Sequence, residues 1–205
     1  LDVSRTDSDS NKFIDTVQNV VKSSFIPVAV GGGIKRLKDV DQLIRSGADK
    51  VVINSMFYSN PDEIKKITSK YGIQSVIASI DYKRNKNFDE VYINNGSKKI
   101  EIDLVEHIKR VIDVGVGEIL LNSMDQDGTG QGFDLDVINR IGDIKNTSLI
   151  ISGGAGRVDH FSEALILDYD AASTANLFNF IGDGLRCSRE DLMAKKINIP
   201  VFDRD

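Results

Sequence analysis

Short apolar runs alternate along this chain with stretches in which apolar residues return every three or four positions. The runs "IPVAVGG", "KVVINS", "SVIASIDY", "EILLNS" and "SLIISGG" have the length and the β-branched content of buried strands. "LDVS" at the start and "YDAASTAN" near the end bring the strand candidates to seven. Helical periodicity predicts helices near residues 11–23, 36–46, 61–71, 103–114, 134–141, 157–167 and 177–195. In the second of these, Leu37, Val40, Leu43 and Ile44 share one face, which suits a helix lying on a sheet. The stretch "KNFDEVYINNGSKKIEI" breaks the rhythm, because two-residue alternation around an "NNG" turn predicts a β-hairpin leaving the "SIDY" strand.

Strand and helix in strict alternation predict an α/β fold with a parallel sheet. Seven βα units suit a (β/α)8 TIM barrel that lacks one, since an open seven-strand version would leave two parallel edges bare. "LDVS" reads as a strand already under way, so the expectation is a single barrel domain over residues 1–205, N-terminally truncated, carrying strands two to eight. A doubly wound open sheet is the competitor. An internal repeat weighs against it: "VGGGIKRLKDVDQLIRSGADKVVINS" at 30–55 returns without a gap as "ISGGAGRVDHFSEALILDYDAASTAN" at 151–176, an offset of 121. Two similar half-barrels would produce that spacing.

Composition narrows the functions. The chain has 205 residues with 40% hydrophobic content, enough for a sizeable core. Its net charge of −5 is spread along the chain, and no basic stripe suggests a nucleic-acid surface. The lone Cys187 excludes an intramolecular disulfide and a cysteine-based zinc cluster, which fits a reducing cytoplasm. No apolar segment approaches the ~20 residues of a membrane span.

The repeat also carries the candidate chemistry. In a barrel the strand ends and the loops after them build the site, and backbone N–H groups in glycine turns can hold a phosphate without side-chain charge. Gly32 and Gly33 end one strand, and Asn54 and Ser55 the next; their offset partners are Gly153, Gly154, Ala175 and Asn176. Two cradles at one mouth imply an elongated ligand with a phosphate at each end, although such glycines can also serve only as tight turns. Walker and dinucleotide fingerprints are absent, so no nucleotide cofactor is expected, and no metal-ligand spacing is present. Asp81 in "ASIDY" ends an apolar strand, where a carboxylate can move a proton or simply accept loop N–H groups. Asp2 raises the same question, and "NSMDQDGTGQGFD" offers Asp125, Asp127, Gly128 and Thr129 for phosphate support or turn formation. His107 and His160 fall within helices and read as packing or surface residues. Lys50 and Glu118 stand at strand starts, on the face of a barrel where ion pairs are structural or, less commonly, gate the axis.

The words "VGGGI", "SGADKVVINS", "IASIDY", "GVGEILLNSMDQDGTGQGFD", "ISGGAGRVDHFSEA" and "LFNF" closely resemble the cyclase subunit of imidazole glycerol phosphate synthase, over nearly the whole chain. The resemblance implies a (β/α)8 barrel with twofold internal similarity. It implies an ammonia-dependent lyase that converts a phosphoribulosyl-formimino aminoimidazole carboxamide ribonucleotide to imidazole glycerol phosphate in histidine biosynthesis. The ammonia would come from a glutaminase partner in a heterodimer. By motif, Gly33, Asn54 and Ser55 match one phosphate site, and Asp127, Gly128, Gly154, Ala175 and Asn176 the other. Asp81 matches the catalytic Asp of the fifth strand, Lys50 and Glu118 the ammonia gate, and Asp49 the glutaminase docking face. The family's second catalytic Asp, on the first strand, and a Lys in the loop after it would precede Leu1.

Several positions depart from the family's pattern. "LDVSRTDSDSNK" lacks the usual Thr-Ala-Ser-like run, Asn122 stands where Thr is common, Asn176 replaces a usual Ser and Asn179 a usual His. Two other readings therefore stay open. One is a paralogous synthase subunit that uses glutamine-derived ammonia to form an amidine on a surface-polysaccharide sugar precursor. The other is a noncatalytic scaffold that binds and activates the glutaminase.

Overall fold

The computed structural model describes residues 1, 10–86, 88–142, 144, 146–167, 169–175, 177–179 and 184–200. Apart from Leu1 the "LDVS" candidate lies outside the described residues, and Asp2 with it. The elements run α1 (Ser10–Ser23), β1 (Ala29–Gly31), α2 (Leu37–Arg45), β2 (Lys50–Ile53), α3 (Met56–Ser59), α4 (Pro61–Tyr71), β3 (Val76–Lys83), β4 (Glu90–Ile93), β5 (Lys98–Asp103), α5 (Leu104–Val114), β6 (Glu118–Ser123), α6 (Val137–Ile141), β7 (Ser148–Ser152), α7 (Val158–Ile166), β8 (Ala171–Ala172) and α8 (Gly184–Ala194). One 3-10 turn, Ile73–Ser75, leads into β3, and a second covers Leu177–Asn179.

Six strands pair in the order β1-β2-β3-β6-β7-β8, each parallel to the next and each linked by helix-bearing chain, as in a (β/α)8 barrel. The sheet curls until residues beside β1 and residues after β8 line one cavity. The predicted hairpin is β4 and β5, antiparallel to each other, with β4 also antiparallel to the outer half of β3. Its turn carries Asn94 and Asn95 with φ of 53° and 56°, the left-handed conformation that asparagine tolerates best after glycine.

The 121-residue repeat survives as hydrogen bonding. Ala29 pairs with Lys50 and Val30 with Val51; Ile150 pairs with Ala171 and Ile151 with Ala172, the same register one half-barrel later. Asp49 Oδ2 accepts the N–H of Val28 at 2.8 Å, and Asp170 Oδ2 accepts that of Leu149 at 2.6 Å. The aspartates of the "AD" and "YD" pairs thus tie each strand start to the one before it. Asp49, matched to a docking face by resemblance, has this structural bond and is exposed besides.

Alternation within the strands decides which side chains reach the axis. In β3 and β6 every second residue is fully buried against the helices, and the intervening Ser79, Asp81, Leu120 and Asn122 face the cavity. Outside the sheet, Val40 and Leu43 of α2, Ile64 and Ile67 of α4, and Leu104, Ile108 and Val111 of α5 bury the helical stripe. α4 starts with Pro at its first position, where the missing N–H is harmless, and α5 is capped by Asp103, which accepts from the N–H of Glu106 at 2.8 Å.

One ionic knot is buried within this layer. Arg140 of α6 donates to Asp89 at 2.7 Å and to Asp134 at 2.6 Å, and the hydroxyl of fully buried Tyr82 donates to Asp134 at 3.1 Å. The two aspartate side chains are only 5% and 6% exposed; losing the cation would leave the Asp89 carboxylate without that donor and Asp134 with only the Tyr82 hydroxyl and Arg84 at 3.8 Å. Arg140→Met is expected to cost about 3–5 kcal/mol, the usual effect of breaking a buried ion pair. Tyr82→Phe, which leaves the cation in place, is expected to cost only about 1–2 kcal/mol; urea denaturation of both variants checks the ordering.

His107 gives the fold a pH dependence. Its ring is 3% exposed, and burial, aided by the nearby Arg110 cation, lowers its pKa from 6.5 to about 4. An unfolded chain therefore takes up the proton more readily than the folded one below pH 6.5. The stabilisation from keeping this ring neutral is complete above that pH and is lost as pH falls toward 4, on the order of 3 kcal/mol in all. His107→Phe should flatten the stability profile between pH 6.5 and 4 in urea titrations.

Candidate active site

A cavity of about 1340 Å3 opens beyond the C-terminal ends of the parallel strands, larger than the roughly 300–1,000 Å3 of most small-ligand sites. Gly33, Asn54, Ser55, Asp81, Asp127 and Ala175, six of the residues expected at the site, line it together. Gly128, next to Asp127, is exposed in the same loop, and Gly154 is buried; neither is among the lining residues. Asn176 lies outside the described residues.

Asp81 sits on the inward face of β3, opposite Asn122 of β6 in the parallel register. Asn122 Nδ2 donates to one of its oxygens at 2.9 Å and Asn54 Nδ2 to the other at 2.8 Å. Burial lifts the Asp81 carboxyl above the ordinary aspartate range; the two amide donors pull it back, and the Asp127 carboxylate pushes it up again. A partly buried carboxylate balanced in this way can both take and return a proton. The Asn54 side chain, matched by motif to a phosphate contact, is therefore engaged with Asp81. Asn122 is a partner that sequence reasoning registered only as an unusual residue.

The two glycine turns differ. Gly33 has φ of 64° and open space where a Cβ would stand, facing the cavity. Gly154 has φ of 101°, and a Cβ there would lie 2.0 Å from the carbonyl oxygen of Gly132, so glycine is needed for backbone to cross backbone. That crossing is closed by the N–H of Gly132 donating to Gly154 O at 2.8 Å. Beside the first turn, Ser55 Oγ accepts the N–H of Asn94 at 3.0 Å, which brings the hairpin tip to the cavity rim. Ser79, Ser152, Ser173 and Thr174 add hydroxyls to the lining that no motif had singled out. For Ser79 the signal was the strand alternation itself, since it stands two residues before Asp81.

Lys50 and Glu118 form an ion pair at the starts of β2 and β6. Lys50 lies four residues before Asn54, and so roughly 13 Å down the barrel at strand rise. Between the two levels the inward positions hold Val52 and Leu120. Asp125 Oδ2 accepts the N–H of Arg84, a loop-bracing role. His107 and His160 are both buried, as packing residues are.

Comparison with known proteins agrees with this architecture. A family model described as "Histidine biosynthesis protein" matches residues 1–181. The imidazole glycerol phosphate synthase subunit HisF of Pyrobaculum aerophilum is 42% identical over 88% of this chain and 71% of its own length. Those of Exiguobacterium sibiricum and Pyrococcus furiosus are 37% and 41% identical, over 97% and 88% of this chain and 80% and 72% of their own. The chain belongs to the histidine biosynthesis protein family and, within it, to the HisF cyclase subunits of imidazole glycerol phosphate synthase.

Proposed function

We propose that the cavity closes an imidazole ring with ammonia, on an opened, phosphorylated ribulosyl chain attached to an aminoimidazole carboxamide ribonucleotide. The observation that carries this reading is the position of Asp81 on β3, which lines one cavity with Gly33 and Ser55, after β1 and β2, and with Asp127 and Ala175, after β6 and β8. A long substrate held by a phosphate at each end presents its middle to that carboxylate. Asp81 then takes a proton as ammonia adds to the ribulosyl carbonyl and returns one as the carbonyl oxygen leaves as water; the new nitrogen bonds to the formimino carbon, closing the ring, as the bond from that carbon to the departing carboxamide ribonucleotide breaks. Backbone N–H groups of the Gly33 and Gly154 turns, with Ser55, Gly128 and Ala175, hold the phosphates; Asn54 orients the base.

The partner in this reading is a glutaminase subunit docked on the opposite end of the barrel, where Asp49 is exposed and Lys50 and Glu118 pair. Ammonia released there would pass the ion pair and the apolar level of Val52 and Leu120 on its way to Asp81. A dry passage keeps it unprotonated and so nucleophilic.

A second reading is amidine formation on a sugar precursor of a surface polysaccharide, with the same ammonia supply. It is favoured by Asn122, whose amide occupies one Asp81 oxygen where the family commonly has the shorter Thr. Complementation of a histidine auxotroph separates the two: growth supports ring closure, and failure by a folded, expressed protein supports the sugar.

With the complete protein, ammonia and the ribulosyl ribonucleotide should yield imidazole glycerol phosphate, measured by chromatography. Asp81→Asn is expected to lower turnover about a thousandfold, within the range for loss of a proton-transfer group, with substrate affinity nearly unchanged. No product at saturating ammonia would overturn the ring-closure reading. Asn122→Leu removes a donor that holds the Asp81 pKa down. The acidic limb of its rate profile is therefore expected at higher pH than in the parent protein.

A further inference from the structure

The internal repeat extends to a layer behind the glycine turns that the proposed phosphate contacts do not include. Asp39 and His160 stand 121 positions apart. Asp39 Oδ2 accepts the N–H of Lys35 at 3.0 Å, and His160 Nδ1 accepts the N–H of Gly156 at 3.1 Å. Lys35 and Gly156 are offset by the same 121, and each follows the glycine of its own turn, Gly33 or Gly154, by two residues.

The surrounding geometry repeats as well. Arg36 and Arg157 precede α2 and α7 with extended backbones, φ −163° with ψ 163° and φ −147° with ψ 159°. Their carbonyls accept the N–H groups of Asp39 and His160 at 3.0 and 3.3 Å. Their side chains lie beside the same two residues, with Arg36 Nε donating to Asp39 Oδ1 at 3.3 Å and Arg157 Nε 3.4 Å from His160 Nε2, which carries the ring proton when Nδ1 accepts. A carboxylate and an imidazole share little chemistry beyond a lone pair at this distance from the backbone. That a chain with two diverged halves places an acceptor at both positions points to the acceptor, and not the bulk or charge of the residue, as the common requirement.

The acceptor matters because of what it restrains. A glycine turn samples many conformations, and an anion cradle needs its N–H groups aimed before the ligand arrives. Tying the N–H two residues past the glycine to the first turn of the helix fixes the loop between them. In the first half, Gly33, Ile34 and Lys35 of that loop line the cavity. In the second, His160 is 3% exposed and its ring lies 3.5 Å from where a Cβ on Gly132 would stand. It therefore braces both strands of the backbone crossing between Gly132 and Gly154.

We propose that Asp39 and His160 are the positioning residues of the two phosphate cradles, each holding its glycine turn in the binding conformation by accepting the N–H two residues beyond the glycine. This rests on the reading of the Gly33 and Gly154 turns as phosphate sites. The test follows the amide resonances of Gly33 and Gly154 in the isotope-labelled full chain as inorganic phosphate is added. His160→Leu should weaken binding at Gly154 at least tenfold and leave Gly33 within twofold of the parent, and Asp39→Leu should do the reverse. His160→Asn and Asp39→Asn, which restore an acceptor, should stay within threefold at both glycines. The glycine of the untouched half reports in each case that the barrel is folded. The proposal is overturned if a Leu variant leaves its own glycine unaffected or weakens both alike, or if Asn is no better than Leu. No response at either glycine of the parent protein sinks the two-phosphate reading and this proposal with it. A responsive parent with indifferent Leu variants sinks this proposal alone.

Discussion

The site depends on in-register parallel pairing between β3 and β6. Asp81 stands opposite Asn122 only because Ile77 pairs with Glu118 and the ladder continues unbroken to Tyr82 and Ser123. Side chains alternate along a strand, so a slip of β3 by one residue would turn Asp81 into the helical layer and Tyr82 into the cavity, while Asn122 of β6 kept its place. Burial pins the register: Ile80, Tyr82, Ile119 and Leu121 have at most 1% of their surface exposed and have no other apolar place to go. The chemistry of the inner face is thus held by the hydrophobic demand of the outer one.

That division of labour extends to the polar groups. Outside the sheet, Arg140 binds Asp89 and Asp134 beneath the hairpin and the loop after β6, and Tyr82 joins the knot from the back of the strand that carries Asp81. Inside, the partners of Asp81 among the described residues are two neutral amide donors and a neighbouring carboxylate. A cation paired to Asp81 would hold it ionised and useless as an acid; two amides hold its position while leaving its charge free to change. The difference is one of parity, since Asp81 and Tyr82 are adjacent in sequence and face opposite environments.

Much of this was legible in the sequence. Six of the seven strand candidates are strands among the described residues, the hairpin is where the "NNG" turn put it, and the gap-free repeat anticipated an identical strand register in both halves. Misses have local causes. α3 is four residues long, too short for periodicity to register, and α6 begins at Val137 instead of 134 because Asp134 is drawn into the Arg140 knot. The helix expected over 177–195 is described as a 3-10 turn at Leu177–Asn179 and α8 at Gly184–Ala194. At the site, Asp81 and the glycine turns were readable from strand ends. The Asn54 amide was not, since its partner lies 27 residues away on another strand and the motif offered it only a phosphate.

An acidic cavity that is expected to hold two phosphates poses an electrostatic problem. Asp81 and Asp127 line it, and Lys35, exposed at the rim, is the one cation among the described lining residues. Among the described lining residues, one rim cation set against two carboxylates does little to favour dianions. Backbone N–H groups can favour them, because they are fixed dipoles that bring no mobile charge near Asp81 and leave its proton affinity to burial and the two asparagines. A lysine at each cradle would bind phosphate more strongly and also drag the Asp81 pKa down. Glycine turns braced from behind separate the two tasks, so that the ends of the ligand can be gripped without silencing the carboxylate at its middle.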